Sequence, residues 1–216
     1  MIKKIFGQSI GIYTLPNAES YDDDLIKFAY HMQKLEPVPD KLRHQFIHRA
    51  HLIPGYPLKF LDDVMWAFDQ YVKECKLTEI IQFPYQVPYI SSAWLNVIKP
   101  NEFIKSHNHM LYNSRFNVTY YPKFLEKQGD LYIETEDRTS RQIVPSKKGC
   151  CVIFPGYIQH HSEINESSED RISAACDIKM LGFDSDLPPA KLVEEITSTF
   201  TQELNKRLDY ERKMDN

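Results

Sequence analysis

The sequence predicts a mainly β protein with flanking helices, whose core is a jelly roll or a related barrel. From about residue 80 to residue 182 the chain consists of short runs rich in β-branched and aromatic residues, separated by Pro, Gly, Asn and Asp clusters. On either side of this region, apolar residues recur at helical spacing instead. A chain of 216 residues can form one such core with helical additions, but it is too short for two full domains.

The predicted helices lie before and after the β region. Tyr21–Lys34 and Leu58–Lys76 make residues 1–80 a mostly helical region that packs on the core. Residues 81–183 form the β core, and a last helix over Lys191–Arg212 lies in the C-terminal segment 184–216. The three segments are expected to form one structural domain.

Eight short runs in the β region have the composition and the bounding turn residues of strands, which is typical of a jelly roll. They are Ala93–Ile98, Phe103–His109, Arg115–Tyr121, Asp130–Glu134, Arg141–Val144, Cys150–Phe154, Gln159–Glu163 and Arg171–Ile178.

Composition excludes several classes of function. A net charge of -4 argues against strong binding to the phosphates of nucleic acids. The sequence has no apolar run long enough for a signal peptide or a membrane span, so we expect a cytoplasmic protein without a membrane partner. The oligomeric state is not indicated by any sequence feature.

Two groups of histidines stand out in the β region, His107-Asn108-His109 and His160-His161. Residues i and i+2 of a strand point to the same face, so His107 and His109 can direct two imidazoles to one point. In a rolled sheet the strand that carries His160 can lie beside them. Neutral imidazoles suit iron(II), copper, nickel or zinc, and a three-ligand site leaves coordination positions open for catalysis.

Arg171 and Ser173 share one face of a later predicted strand, while apolar residues occupy its other face. A guanidinium inside a barrel needs an anionic partner, and a planar carboxylate accepts its two parallel hydrogen bonds. The serine hydroxyl can donate one more. A small dicarboxylate fits this demand.

The segment from Trp94 to Asp177 resembles the iron(II)/2-oxoglutarate oxygenases, and in particular a subgroup common in tailed phages and marine bacteria. The resemblance rests on four motifs: Trp94-Leu95-Asn96, His107-Asn108-His109, Phe154-Pro155 followed by His160, and Arg171-Ile172-Ser173.

The resemblance implies a double-stranded β-helix core that binds iron(II) through His107, His109 and His160. It also implies that 2-oxoglutarate chelates the metal while Arg171 and Ser173 hold its distal carboxylate, with Asn96 as a further contact. Dioxygen would take the remaining position. The implied activity is hydroxylation of an unknown substrate, in the host cytoplasm if the protein is phage-encoded, with no catalytic group beyond the metal ligands.

The motif departs from the wider superfamily at position 109, where most members have aspartate in a facial triad of two histidines and a carboxylate. Either His109 is the third ligand, or Glu102, Asp130 or a water molecule completes the shell. The spacing from Phe154-Pro155 favours His160 over His161 as the distal ligand. His161 would then support a ligand or face solvent.

Two other functions remain open. A histidine pair with a distal histidine is also the arrangement of cupin-type three-histidine dioxygenases and isomerases, although these do not need Arg171 and Ser173. A non-catalytic jelly-roll structural or assembly module is the second alternative, because a fold does not guarantee chemistry. For an oxygenase, the substrate could be a protein side chain, a nucleobase or a small metabolite.

Overall fold

The computed structural model describes residues 1–35, 45–46, 50–77, 87–110 and 114–181. Two helices, α1 (Asp22–Leu35) and α2 (Lys59–Glu74), occupy the positions of the two helices predicted near the N-terminus. Ten β-strands are described besides the helices. They are β1 (Ile2–Ile5), β2 (Gln8–Thr14), β3 (Gln45–Phe46), β4 (Val87–Ile98), β5 (Phe116–Lys123), β6 (Leu131–Glu134), β7 (Arg141–Val144), β8 (Cys150–Pro155), β9 (Gln159–Ser162) and β10 (Arg171–Leu181).

The strands form two antiparallel sheets. The major sheet has the order β1-β2-β8-β5-β10-β4-β3, and the minor sheet has the order β7-β6-β9. Several neighbouring strands come from distant parts of the chain, as β10 does when it pairs with both β4 and β5. Two antiparallel sheets with such crossovers are the architecture of a jelly roll, so the predicted fold class is confirmed.

The major sheet has an apolar core on each face, and β8 shows why. Cys151 and Ile153 face the cluster that contains the two helices. Val152 and Phe154, which alternate with them, face the cluster between the two sheets, where Ile133 of the minor sheet also lies. A strand that is covered on both sides is apolar at every position rather than at every second one. This explains the unbroken apolar run that the sequence shows there.

The N-terminal hairpin was not predicted. Residues 2–14 form β1 and β2 where the sequence indicated only a mostly helical region, and β2 joins the major sheet beside β8. The turn between the strands consists of Phe6 and Gly7, whose φ angles of 49° and 78° are both positive. A two-residue turn with two positive φ angles matches the twist of a hairpin.

The strand predicted over Phe103–His109 is wrong. Within that range one isolated bridge joins His107 to His160, and the rest of the segment is irregular. It still runs beside β9, because the backbone N–H of Ser162 donates to the carbonyl oxygen of Ile104 at 3.2 Å. The helix predicted over Lys191–Arg212 lies outside the described residues. Among the described helices, none has the length and hydropathy that crossing a bilayer requires.

A buried carboxylate joins the segment before α1 to α2. Asp63 of α2 accepts hydrogen bonds from the backbone N–H of Asn17 at 2.9 Å, from Asn17 Nδ2 at 2.8 Å and from the Tyr21 hydroxyl at 2.7 Å. The ring of Tyr21 packs edge-on against Phe60 and Tyr120, so the same residue contacts both α2 and β5. These contacts fix the helices on the outer face of the major sheet.

Replacing Tyr21 by phenylalanine tests this anchor. Tyr21→Phe keeps the ring and leaves the buried Asp63 carboxylate without one donor, which should lower the free energy of unfolding by about 1–3 kcal/mol. Urea unfolding followed by circular dichroism measures the change. Tyr157→Phe is the matched control, because the Tyr157 hydroxyl also donates a hydrogen bond, to Gln8, but on the surface. Equal losses in both variants would contradict the anchoring role.

Candidate metal centre

Three histidines converge inside the jelly roll. His107 and His109 lie on the segment between β4 and β5, and His160 lies in β9. One potential ligand atom from each ring lies within 4.8 Å of the other two. The ring centroids are 4.3 Å apart for His107 and His160, 5.2 Å for His107 and His109, and 5.3 Å for His109 and His160. The structure therefore brings together the three residues that the sequence nominated as metal ligands.

Backbone hydrogen bonds place these histidines. His107 and His160 exchange both backbone bonds, at 3.0 and 2.9 Å, so the two residues are directly opposed. The backbone N–H of His109 donates to the carbonyl oxygen of Gly156 at 2.8 Å. Position 156 has no room for a side chain, because a Cβ there would lie 2.2 Å from the carbonyl oxygen of Ser114. The turn before β9 can thus approach the histidine segment closely only with glycine.

Each imidazole has an oxygen acceptor at Nδ1. The carbonyl oxygen of Lys105 lies 2.7 Å from Nδ1 of His107, and that of Ile158 lies 3.0 Å from Nδ1 of His160. A carbonyl oxygen only accepts, so in both rings Nδ1 carries the proton. Nε2 of each ring then keeps a lone pair, which is the form that binds a metal ion.

The acceptor for His109 is a carboxylate. Nδ1 of His109 lies 2.9 Å from Oδ1 of Asp177, and both side chains are buried. Asn117 Nδ2 donates to the same oxygen at 3.1 Å, and it lies 3.4 Å from each ring nitrogen of His109. Burial raises the pKa of the Asp177 carboxyl, but the hydrogen bonds from His109 and Asn117 outweigh it and the net shift is downward. Asp177 is therefore ionised at neutral pH.

His107 and His160 are neutral at neutral pH. Burial is the largest cause of a pKa well below the ordinary value for His160, and the neighbouring imidazoles of His107 and His109 lower the pKa further. Burial and His109 also lower the pKa of His107. Neutral rings are available to bind a metal ion without first losing a proton.

The other candidate ligands lie elsewhere. Oε2 of Glu102 accepts a hydrogen bond from the backbone N–H of Lys99 at 3.0 Å, and Oδ1 of Asp130 accepts one from the backbone N–H of Ser146 at 2.7 Å. Among the described residues, neither carboxylate belongs to a group with the three histidines. The geometry thus favours His109 over both carboxylates, and the ligand set itself stays a prediction.

His161 does not join the three histidines. Its ring stacks on Tyr132 of the neighbouring strand, with centroids 5.0 Å apart and an interplanar angle of 14°. Its Nδ1 lies 3.2 Å from Oε1 of Glu134. Successive residues of a strand point to opposite faces, so His160 and His161 cannot both face the same point. The ring contacts therefore favour His160 as the distal ligand.

The nominated co-substrate residues line the same cleft, which encloses about 440 Å³ including the space at its mouth. Arg171 is 1% exposed, and its NH1 donates to the backbone oxygens of Gln128 at 3.0 Å and of Gly129 at 2.6 Å. Its Nε is buried without a hydrogen-bond partner. Burial lowers the pKa of the guanidinium.

Asn96 and Ser173 are opposed on neighbouring strands. Asn96 Nδ2 donates to the Ser173 hydroxyl at 3.1 Å, while Oδ1 of Asn96 is buried without a partner. Together with Nε of Arg171, this leaves two buried polar atoms unsatisfied in the cleft. Buried polar groups are nearly always hydrogen-bonded, so the pair indicates space for a polar ligand. A carboxylate can accept from the guanidinium and from the serine hydroxyl.

Several residues in or beside the cleft were not nominated by the sequence analysis. Asp177 continues the inward face of β10 that begins at Arg171 and Ser173, and the alternation of the strand was the available signal. Three residues of β5 line the cleft itself, at every second position: Asn117, Thr119 and Tyr121. The sequence did not single them out, because a run of aromatic and polar residues is equally typical of a cleft wall and of ordinary packing.

Comparisons with known proteins agree with this geometry. A family model described as "Putative 2OG-Fe(II) oxygenase" matches residues 92–177. A comparison with curated protein sequences finds no match. Among solved structures, the chain is similar to the non-heme alpha ketoglutarate dependent carbocyclase SnoK from nogalamycin biosynthesis, at 11% identity and a TM-score of 0.57 over 81% of this chain and 80% of that one.

The non-heme monooxygenase ThoJ, solved as a nickel complex, is similar over 92% of this chain and 95% of its own, at 12% identity and a TM-score of 0.55. At these identities the two similarities show a shared fold. An oxidoreductase of the 2OG-Fe(II) oxygenase family from Burkholderia pseudomallei matches over 48% of each chain, at 12% identity and a TM-score of 0.41. This chain therefore spans about half the length of that protein.

The fold and the site define a double-stranded β-helix protein with a candidate metal centre of three histidines. The family match covers the region that carries all three of these histidines together with Arg171 and Ser173. Over residues 92–177 the chain is similar to the iron(II)/2-oxoglutarate oxygenases, and it shares its fold with two solved non-heme enzymes.

The lowered pKa values of His107 and His160 predict how the metal-free protein responds to acid. Both histidines titrate at their ordinary value near 6.5 when unfolded and at a lower value when folded. The unfolded chain thus binds more protons below pH 6.5, and the free energy of unfolding should fall there by up to about 1.4 kcal/mol per pH unit for each histidine. Chemical unfolding at pH 7, 6 and 5 measures this slope.

His160→Gln provides the comparison, because glutamine does not titrate. Its free energy of unfolding should depend less on pH than that of the unmodified protein over the same interval. Identical slopes would contradict the assignment of the pH dependence to the buried histidines.

Proposed function

We propose that the protein is an iron(II)- and 2-oxoglutarate-dependent hydroxylase that acts in the cytoplasm. One observation carries the proposal: a single cleft contains both a group of three histidines and a buried arginine with an unpartnered Nε. The first part suits a metal ion with open coordination positions, and the second suits a small anion. An enzyme that oxidises a substrate with a metal and a dicarboxylate co-substrate needs both.

The histidines would hold the iron through Nε2. Their Nδ1 atoms are already engaged by Lys105, Ile158 and Asp177, so the rings are oriented before the metal binds. Such prior orientation lowers the cost of assembling the site. Trp94 stacks on His109 at 5.6 Å with an interplanar angle of 18°, which restricts the ring further and excludes water from that side.

Arg171 and Ser173 would hold the distal carboxylate of 2-oxoglutarate. The carbonyl oxygens of Gln128 and Gly129 fix NH1 of Arg171. Its Nε, which has no hydrogen-bond partner, can then donate to the carboxylate. The Ser173 hydroxyl accepts from Asn96 Nδ2, so its one proton stays available for the carboxylate. When bound, iron(II), 2-oxoglutarate and dioxygen supply the oxidation: the co-substrate loses carbon dioxide to give succinate while the substrate gains a hydroxyl group.

No contact among the described residues indicates a substrate class. A protein side chain, a nucleobase and a small metabolite all remain candidates.

Anaerobic titration tests the metal and co-substrate sites separately. Iron(II) should bind to the unmodified protein, and 2-oxoglutarate should then change the visible absorption spectrum of the complex. His107→Ala and His160→Ala should abolish iron binding. Arg171→Ala should keep iron binding and raise the 2-oxoglutarate concentration needed by about 10- to 100-fold, because it removes charge-assisted hydrogen bonds.

Variants of His161 and Arg141 are the matched controls. His161→Ala removes the histidine next to His160, and Arg141→Ala removes an arginine that stacks on Tyr132 outside the cleft. Both should bind iron(II) as the unmodified protein does. Arg141→Ala should also keep the response to 2-oxoglutarate, whereas His161 lines the cleft and serves as a control for metal binding alone. Succinate formation that stays unchanged in all three site variants would contradict the proposal. A spectrum that responds to a diketone or a thiol, and not to 2-oxoglutarate, would indicate a cupin-type enzyme, and failure to bind iron would indicate a structural module.

A further inference from the structure

Asp177 is a buried carboxylate that contacts a candidate metal ligand. Its side chain is 6% exposed, and Oδ1 lies 2.9 Å from Nδ1 of His109. Asp177 also accepts from two uncharged donors. Asn117 Nδ2 donates to Oδ1 at 3.1 Å, and the Ser92 hydroxyl donates to Oδ2 at 3.4 Å. These donors come from strands on both sides of β10, so the carboxylate is held in place independently of His109.

A break in strand pairing supports this placement. The register between β10 and β4 shifts after Asp177, which pairs with Ser92 while Ile178 pairs with Ile90. Ser91 is therefore the extra residue of a bulge, and its hydroxyl donates to the backbone oxygen of Asp177 at 3.3 Å. Bulges redirect side chains and are frequent beside active sites.

The charge of the proposed three-histidine ligand set explains what Asp177 could contribute. A facial triad of two histidines and a carboxylate places one negative charge on the metal. With His109 as third ligand, that charge would be missing from the metal's own shell. A carboxylate that accepts from Nδ1 of a metal-bound histidine fixes its tautomer and makes it a stronger ligand.

We propose that Asp177 is a positioning residue that acts through His109 and supplies, from behind the imidazole, the negative charge that the third ligand lacks. The inference rests on the proposed function, because it requires a metal on the three histidines. This role differs from that of Asp63, a buried carboxylate that accepts from Asn17 and Tyr21 and only joins parts of the fold.

Cobalt(II) alone is the probe for the test. The full chain and the variants Asp177→Asn and Asp63→Asn are titrated with cobalt(II), which gives an affinity and a visible spectrum without any turnover. Asparagine keeps the shape and an acceptor oxygen but removes the charge. Asp177→Asn should bind cobalt(II) about 10- to 100-fold more weakly and with a shifted spectrum, while Asp63→Asn keeps the affinity and spectrum of the unmodified protein.

The outcomes separate this inference from the proposed function. If the unmodified protein binds cobalt(II) and Asp177→Asn has the same affinity and spectrum, the inference is overturned and the metal site stands. An equal loss of affinity in Asp63→Asn would also overturn it, because the effect would then come from the fold and not from His109. If the unmodified protein does not bind cobalt(II), the proposed function itself fails.

Discussion

The direct opposition of His107 and His160 is the constraint on which the site depends. Their reciprocal backbone hydrogen bonds join an irregular segment to β9, and both imidazoles face the interior there. His109 follows because its backbone N–H reaches Gly156, in the turn that leads into β9. The segment therefore needs no regular strand to align the three rings. Its backbone is fixed at His107 by β9 and at His109 by the turn before β9.

The interior of the jelly roll is divided by polarity. One end is filled by the apolar cluster between the sheets, while the other end carries the inward residues of β10 and β5, which are mostly polar. Burying a guanidinium such as that of Arg171 without a full set of acceptors is costly. A protein tolerates such a cost where a ligand regularly supplies the missing partner, so the unsatisfied Nε is better explained by anion binding than by stability.

The sequence predicted the residues of the site better than the path of the backbone around them. His107, His160 and Arg171 could be nominated because residue type and spacing already limit what such groups can do. The hairpin at Phe6 and Gly7 was missed because short strands with mixed polarity have a weak periodic signal. The alternation of β10 indicated the inward direction of Asp177, but its contact with His109 could not be predicted, because His109 lies on an irregular segment whose path has no periodic signal.

The central claim is that a histidine takes the place of the carboxylate in the proposed iron site. A crystal structure of the protein prepared anaerobically with iron(II) and 2-oxoglutarate tests it most directly. The account predicts one metal ion bound by Nε2 of His107, His109 and His160 at roughly 2.0–2.2 Å, the range typical of imidazole ligands. A metal ion that is bound by two histidines and by Glu102 or Asp130, with His109 turned away, would contradict it.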